Sequence, residues 1–473
     1  MSKRVLISIV VLVVAACVVL SVLALVGVFT LLPVRSATTV VESTVTPTQG
    51  EAVSPTQAEQ TPQATAAGGA EIAPEELAAM KKIEQQTEKN RGLTLSGEIQ
   101  RTLMTPEQLR QRVMDDFLKD YTPEDMAADQ KVLSIFGLLP RGFDLKTLYT
   151  DLYSEQIAGF YDDKTNEMVV VQGEGFDGPE RMTYAHEFTH ALQDEAYDLT
   201  NGLKTDEATC RKDSEYCAAV QALIEGDATI SEQLWLYNSA SQQDRDQVDA
   251  FYSTYKSPVY DSAPLFMQQD FLFAYDQGAN FVLKFYQDGG YAEVDKLYQN
   301  PPVSTEQILH PERYPNDKPQ AVELPDFSAS LGSGWEEIDN NTVGEWYTYL
   351  ILAYGDQADA RLDETTASQA AEGWGGDKYV VYAGPGGNDA ALVYQSQWDT
   401  GTDSDEFWQA FQTYANDRWG KADQSGTDRL EWTATTDGAV LLQRNASGQV
   451  LWVVAPDAAT VATLAGQVAG FGQ

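Results

Sequence analysis

Two of the three histidines in this 473-residue chain stand four positions apart, in His186-Glu187-Phe188-Thr189-His190. Positions i and i+4 share one face of an α-helix, so the spacing predicts a helix whose two imidazoles reach one metal ion. Asp177-Gly178-Pro179 opens that helix, which runs to about Tyr197. Zinc suits imidazole, and a catalytic zinc takes three protein ligands and leaves a position for water. Glu187 lies next to the pair, placed to take a proton from that water. Two unrelated histidines one turn apart are the bland alternative, but a chain with so few histidines rarely forms this pattern by chance.

A third ligand is needed. No histidine follows at the spacing of the longer three-His motif, where Gln193 and Ala196 stand instead. The best candidate is Glu225, in Leu223-Ile224-Glu225-Gly226-Asp227-Ala228 on the next strong helical segment, with Asp227 and His310 as alternatives. Gly226 would let that helix approach the first closely. Asp227 or Thr229 would orient a ligand imidazole from behind.

Val5 to Val34 carries no charged residue and exceeds the ~20 residues a helix needs to cross a bilayer. Lys3 and Arg4 precede it and a lone Arg35 follows, which predicts a cytoplasmic N-terminus and everything beyond Arg35 outside. The expectation is a single-pass cell-membrane anchor within 1–35, in contact with lipid through 5–34, and an extracytoplasmic remainder. A cleaved signal peptide, or lipidation in Val14-Ala15-Ala16-Cys17, is the competing reading. Residues 36–75 are rich in Ser, Thr, Pro and Gln and read as a disordered stalk.

Beyond the stalk the expected fold class is α+β. Residues 76–325 read as a helix-rich unit with a small sheet, 76–150 being a helical lead-in. Thr105-Pro106-Glu107-Gln108 and Thr122-Pro123-Glu124-Asp125 mark helix starts, and 157–161 and 167–171 a hairpin. The Phe/Tyr stripe from Phe266 to Tyr286 is core. Residues 326–473 read as a C-terminal α+β domain of open role, with helices on one face of an antiparallel sheet. Its hairpins turn at Gly384-Pro385-Gly386-Gly387 and at Asn445 to Gly448. The acidic run Asp399 to Glu406 reads as a turn and helix start rather than a calcium loop.

Composition narrows the partners. Lys and Arg number 31 against 71 Asp and Glu, a formal net charge of −40. Such a surface repels phosphate backbones, so nucleic acid is excluded as a partner. Three cysteines exclude a disulfide-dense scaffold and a multi-Cys zinc ribbon. Cys210 and Cys217 are expected to pair in an exported domain. Oligomeric state is left open.

The run His186-Glu187-Phe188-Thr189-His190-Ala191-Leu192-Gln193-Asp194, followed by Ile224-Glu225-Gly226-Asp227-Ala228, resembles the gluzincins, zinc peptidases with HExxH on one helix and a Glu ligand on the next. The resemblance spans about 145–315 and is to a membrane-anchored bacterial type. It departs from the thermolysin-like pattern in a longer gap, which holds the two cysteines. It implies a zincin-like metallopeptidase domain acting on a peptide or protein substrate, with Zn2+ on His186, His190 and Glu225. It also implies an edge strand that pairs with extended substrate, and a downstream His or Tyr at the oxyanion, for which His310 and Tyr314 are the candidates. A zinc-binding scaffold or sensor without turnover, or a zinc hydrolase of esters or epoxides, competes with that reading.

Overall fold

The computed structural model describes residues 72–116, 121–156, 158–171, 175–387 and 389–471. Local sequence signals set the helix ends. Helix α1 (Pro74–Arg91) begins on a proline, carries Glu75 and Glu76 in its first turn and Lys89 and Arg91 in its last, and stops at the positive-φ Gly92. Thr105 and Thr122 cap α2 (Pro106–Asp116) and α3 (Pro123–Ile135). Each hydroxyl accepts a bond from the N–H three residues on, and Gln108 or Asp125 returns one to the threonine N–H. Helix α4 (Leu145–Gln156) follows.

Strands β1 (Gln100–Met104), β2 (Gly159–Asp162) and β3 (Glu167–Val171) form a small sheet of order β1-β3-β2. The β2–β3 hairpin is antiparallel, as the sequence suggests, whereas β1 adds a parallel partner on the far side of β3. Strand β2 is therefore an edge.

Helix α5 (Gly178–Tyr197) buries almost every side chain from Met182 to Gln193. It lies among α1, the small sheet, α6 (Ser214–Asn238) and α7 (Gln242–Thr254). Helix α6 in turn packs along α8 (Leu265–Gly289), which α9 (Tyr291–Gln299) follows. A Cβ added to Gly226 would lie 2.2 Å from the carbonyl carbon and oxygen of Gly278. The close approach that Gly226 permits is thus to α8, not to the helix bearing the histidine pair. The aromatic stripe of α8, including Phe266, Phe271, Phe273, Tyr275 and Phe281, is core.

The second sheet has seven strands, all antiparallel. They are β4 (Glu336–Asn341), β5 (Trp374–Ala383), β6 (Ala390–Trp398), β7 (Gln424–Ser425), β8 (Arg429–Thr435), β9 (Gly438–Arg444) and β10 (Val450–Ala455), in the order β4-β5-β6-β10-β9-β8-β7. With them come α10 (Gly344–Tyr354), α11 (Glu364–Ala371), α12 (Gly401–Trp419) and α13 (Ala458–Ala465). The class is α+β, but both sheet faces are covered, not one. Val380, Val393, Leu441 and Val453 pack with Val461 and Leu464 of α13. Their alternates Val381, Leu392, Leu442 and Trp452 share a core with α12 and with the helices of the first unit. Phe136, just beyond α3, meets Tyr379 and Trp452 edge-on at 5.1 and 5.6 Å.

The expected membrane-crossing helix has no counterpart among the described residues. Among the described residues no helix is long and apolar enough to cross a membrane. Helices α6 and α8 have 25 residues each, but carry Glu225 and Asp227, and Asp270 and Asp276, in their midst. The run over 5–34 and all but the last four residues of the expected 36–75 stalk lie outside the described residues, so the anchor and its inside–outside assignment find no support here; the stalk's last two residues, Pro74 and Glu75, already belong to α1. Cys210 and Cys217 do form a disulfide, tying a short helix (Glu207–Cys210) to the first turn of α6. Such bonds persist in oxidising surroundings.

Candidate metal centre

Helices α5 and α6 bring His186, His190 and Glu225 together. Their ligand atoms all lie within 4.8 Å of one another. Glu225 Oε2 is 3.2 Å from His186 Nε2 and 3.4 Å from His190 Nε2. All three residues are buried, Glu225 completely. This group could bind a metal ion.

The other edge of each imidazole is held from behind. His190 Nδ1 donates to Gln193 Oε1 at 2.8 Å. Glu232 Oε2 lies 3.2 Å from His186 Nδ1, near enough to hold it electrostatically though off the line of a hydrogen bond. In the neutral ring, with Nδ1 as the donor, the lone pair of His190 is on Nε2, facing Glu225. That buried nitrogen has no hydrogen-bond partner among the described residues. An orphaned buried nitrogen beside a second imidazole and a carboxylate suits a metal ligand. On Glu225, Oε1 accepts from Gln221 Nε2 at 2.6 Å, leaving Oε2 to the cluster.

Electrostatics agree with a cation site. Burial raises the Glu225 carboxyl, but the two imidazoles outweigh it and bring it down to about 2. Burial lowers His186 and His190, but Glu225, and for His186 also Glu232, more than reverse this and draw protons onto both rings. Burial pushes Glu187 up to about 7 against the pull of both histidines. Three carboxyl groups, Glu187, Glu225 and Glu232, stand around the two imidazoles, so a cation could take the place of the protons on the rings.

Glu187 faces the small sheet, where its Oε2 accepts the Tyr161 N–H at 3.0 Å. In an antiparallel pair, hydrogen-bonded and non-bonded positions alternate. Ala158 accepts from Val171, so Gly159 and Tyr161 turn their N–H and C=O groups away from β3, to the outer edge of the sheet. That edge borders the cluster.

Asp227 and Thr229 do not touch either imidazole. Asp227 acts one residue further out: Gln193 Nε2 donates to it at 3.0 Å, Tyr298 OH at 2.7 Å, and Arg91 Nε lies 2.9 and 3.0 Å from its two oxygens. The Thr229 hydroxyl has no hydrogen-bond partner among the described residues. Gln193 and Glu232, which do face the rings, went unassigned in the sequence. Gln193 was readable from its position one turn beyond His190.

His310 and Tyr314 are not brought to the cluster. His310 ends the short helix Thr305–Leu309, with Nε2 2.8 Å from Glu345 Oε1 on α10. Tyr314 OH donates to Asn300 O, and its ring packs edge-on against Phe281 and Phe285. Neither an oxyanion role nor ligation by His310 survives that placement. A second acidic group, Glu306, Asp317 and Asp399, gathers round Arg313 Nη1 at 2.7, 3.3 and 2.9 Å, and the guanidinium accounts for it. Beside Asp399, Thr400 and Asp403 cap α12, as the turn reading expects.

Residues 331–465 match a family model described as Domain of unknown function (DUF8575). The match takes in the large sheet from β4 through α13 and leaves the metal cluster outside it. No curated protein and no solved structure matches the chain at significance. The gluzincin resemblance therefore rests on the residues alone.

Proposed function

We propose that the chain is a zinc-dependent hydrolase of peptide bonds, with His186, His190 and Glu225 as ligands and Glu187 as general base. The observation that carries this reading is the place of Glu187, buried beside the cluster and tied to the outer edge of β2. A metal that only holds a fold has no use for a further carboxylate there. Two imidazoles and one carboxylate suit zinc, which supplies Lewis acidity that acidifies water and polarises a carbonyl. Glu187 takes the proton from the attacking water and passes it to the leaving amine. The backbone groups of Gly159 that turn away from β3, and the Tyr161 C=O, would give an extended peptide the hydrogen bonds of an added strand. Gln193 and Glu232 keep the two imidazoles in register.

The burial of the whole ligand set favours one second reading, a metal that holds α5 to α6 without turnover. Cleavage of peptide libraries, with ester and epoxide substrates alongside and a chelator control, separates the two. Glu187→Gln should keep stoichiometric zinc and lose ~10²–10⁴-fold in turnover. A zinc-loaded wild type that cleaves nothing would leave the structural reading, and a Glu187→Gln variant at full rate would remove the base.

A further inference from the structure

A cavity of about 120 Å³ lies where α3, the first half of α6, α8, α10 and β5 meet, away from the β2 edge. This is the size that admits a single aromatic ring. Its walls are mainly apolar, with Phe136, Tyr149, Phe273, Trp346 and Tyr379 among them. Three carboxyl groups, Asp129, Glu215 and Asp270, line it too, and no Lys, Arg or His does among the described residues.

We propose that this cavity binds a small amine with an aromatic or branched aliphatic body, and that its occupancy is felt at Glu225 through Gln221. The walls choose the body, since an apolar ring gains by leaving water for them. The aromatic faces and carboxyl groups choose the charge: both attract a cation, and no group opposes an anion's repulsion. The carboxyl groups are fixed in place. Asp270 accepts from Trp346 Nε1 at 2.9 Å and Tyr347 OH at 2.7 Å, and Glu215 accepts from Thr305 N and Oγ1 at 2.6 Å. Burial pushes Asp270 up to about 6, Glu215 up to about 8 and Asp129 well above its ordinary value, and no cation among the described lining residues opposes this. The link to the metal centre is one side chain long. Gln221 lines the cavity and donates to Glu225 Oε1 at 2.6 Å. A ligand that moves Gln221 changes the hold on Glu225, and by linkage zinc changes the ligand's affinity by the same factor.

The test is titration calorimetry on the full chain with 2-phenylethylamine, 2-phenylethanol and 3-phenylpropionate, with and without zinc. The amine should saturate one site at least about tenfold more tightly than the alcohol, the carboxylate should not bind, and zinc should shift the amine's affinity. Ala274→Leu, which fills the cavity, should weaken the amine at least tenfold, and Ala218→Val serves if that variant melts early. No saturable amine binding overturns the site. Equal binding of amine and alcohol overturns the role of the carboxyl groups, and an affinity indifferent to zinc overturns the coupling. The readout is binding, so a failure of the peptidase reading leaves this result standing.

Discussion

Arg91→Met tests how deeply α1 is built into the metal centre. Arg91 closes that helix and is fully buried, as is Asp227, whose two oxygens it meets at 2.9 and 3.0 Å. Its Nη1 also reaches Asp295 at 2.8 Å, and its guanidinium lies 4.3 Å from the centre of the Tyr291 ring. Asp295 is 37% exposed, so losing that pair costs at most about 1 kcal/mol. Asp227 is different. It keeps Gln193 Nε2 and Tyr298 OH as donors but loses the only counter-charge that touches it among the described residues. Removing one partner of a buried pair costs ~3–5 kcal/mol. Urea unfolding in chelator should show about that loss, with metal linkage set aside.

The same substitution should reach zinc. With Asp227 no longer fixed by Arg91, the Gln193 amide keeps the Ile224 carbonyl but has one anchor loosened, and Gln193 Oε1 is what holds His190 Nδ1. Groups of that kind are worth ~10–100-fold in metal affinity. Arg91→Met combined with Asp227→Asn should recover most of the stability, because no orphan charge remains, but little of the affinity. A chain beginning at Gly92 should fail for the same reason, which makes α1 part of the site rather than a removable inhibitor. An unchanged unfolding midpoint together with zinc affinity within twofold of wild type would refute the argument.

Two further substitutions probe the frame. Gly226→Ala puts a methyl group 2.2 Å from the Gly278 carbonyl, so α6 and α8 must part; a loss of ~1–3 kcal/mol and weaker zinc binding are expected, and a neutral result by thermal melting and chelator competition would contradict the crossing. Glu215, pushed up to about 8 by burial, binds a proton in the folded state that the unfolded chain releases near its ordinary value. Wild-type stability should therefore fall as pH rises between ~4 and about 8, while Glu215→Gln should lack that part of the fall and gain a few kcal/mol over wild type at the upper end. A wild-type-minus-variant difference that stays flat with pH would count against this.

What was legible in the sequence follows the range of the physics. The histidine pair and the Glu225 helix are local patterns, and a period of 3.6 residues places each without knowledge of the other. Capping at Thr105 and Thr122 is equally local. His310 misled because rarity says nothing about position: its partner Glu345 lies on a helix beyond the intervening chain. Strands β1 and β4 escaped notice because Gln100–Met104 and Glu336–Asn341 open with polar or acidic residues and owe their extension to β3 and β5. The two-sided sheet did leave a mark. Val450–Ala455 is apolar at every position and buried throughout, which a strand with one wet face would not be.

The cluster needs more than the two helices that carry its ligands. Glu225 is placed by α6, and α6 is set against α8 by the contact of Gly226 with Gly278. Thr189 Oγ1 bonds Ser231 Oγ at 2.9 Å and fixes α5 to α6, from the position before His190 to the C-terminal side of Glu225. Helix α1 secures the back of the site through Arg91 and Asp227, a pair neutral in itself. That neutrality isolates the imbalance at the front, where Glu187, Glu225 and Glu232 surround two imidazoles with no Lys or Arg in contact among the described residues. Protons drawn onto His186 and His190 offset part of that charge. A divalent cation offsets it while freeing both nitrogens to coordinate, so the same buried carboxylates that are costly to hold together favour metal binding.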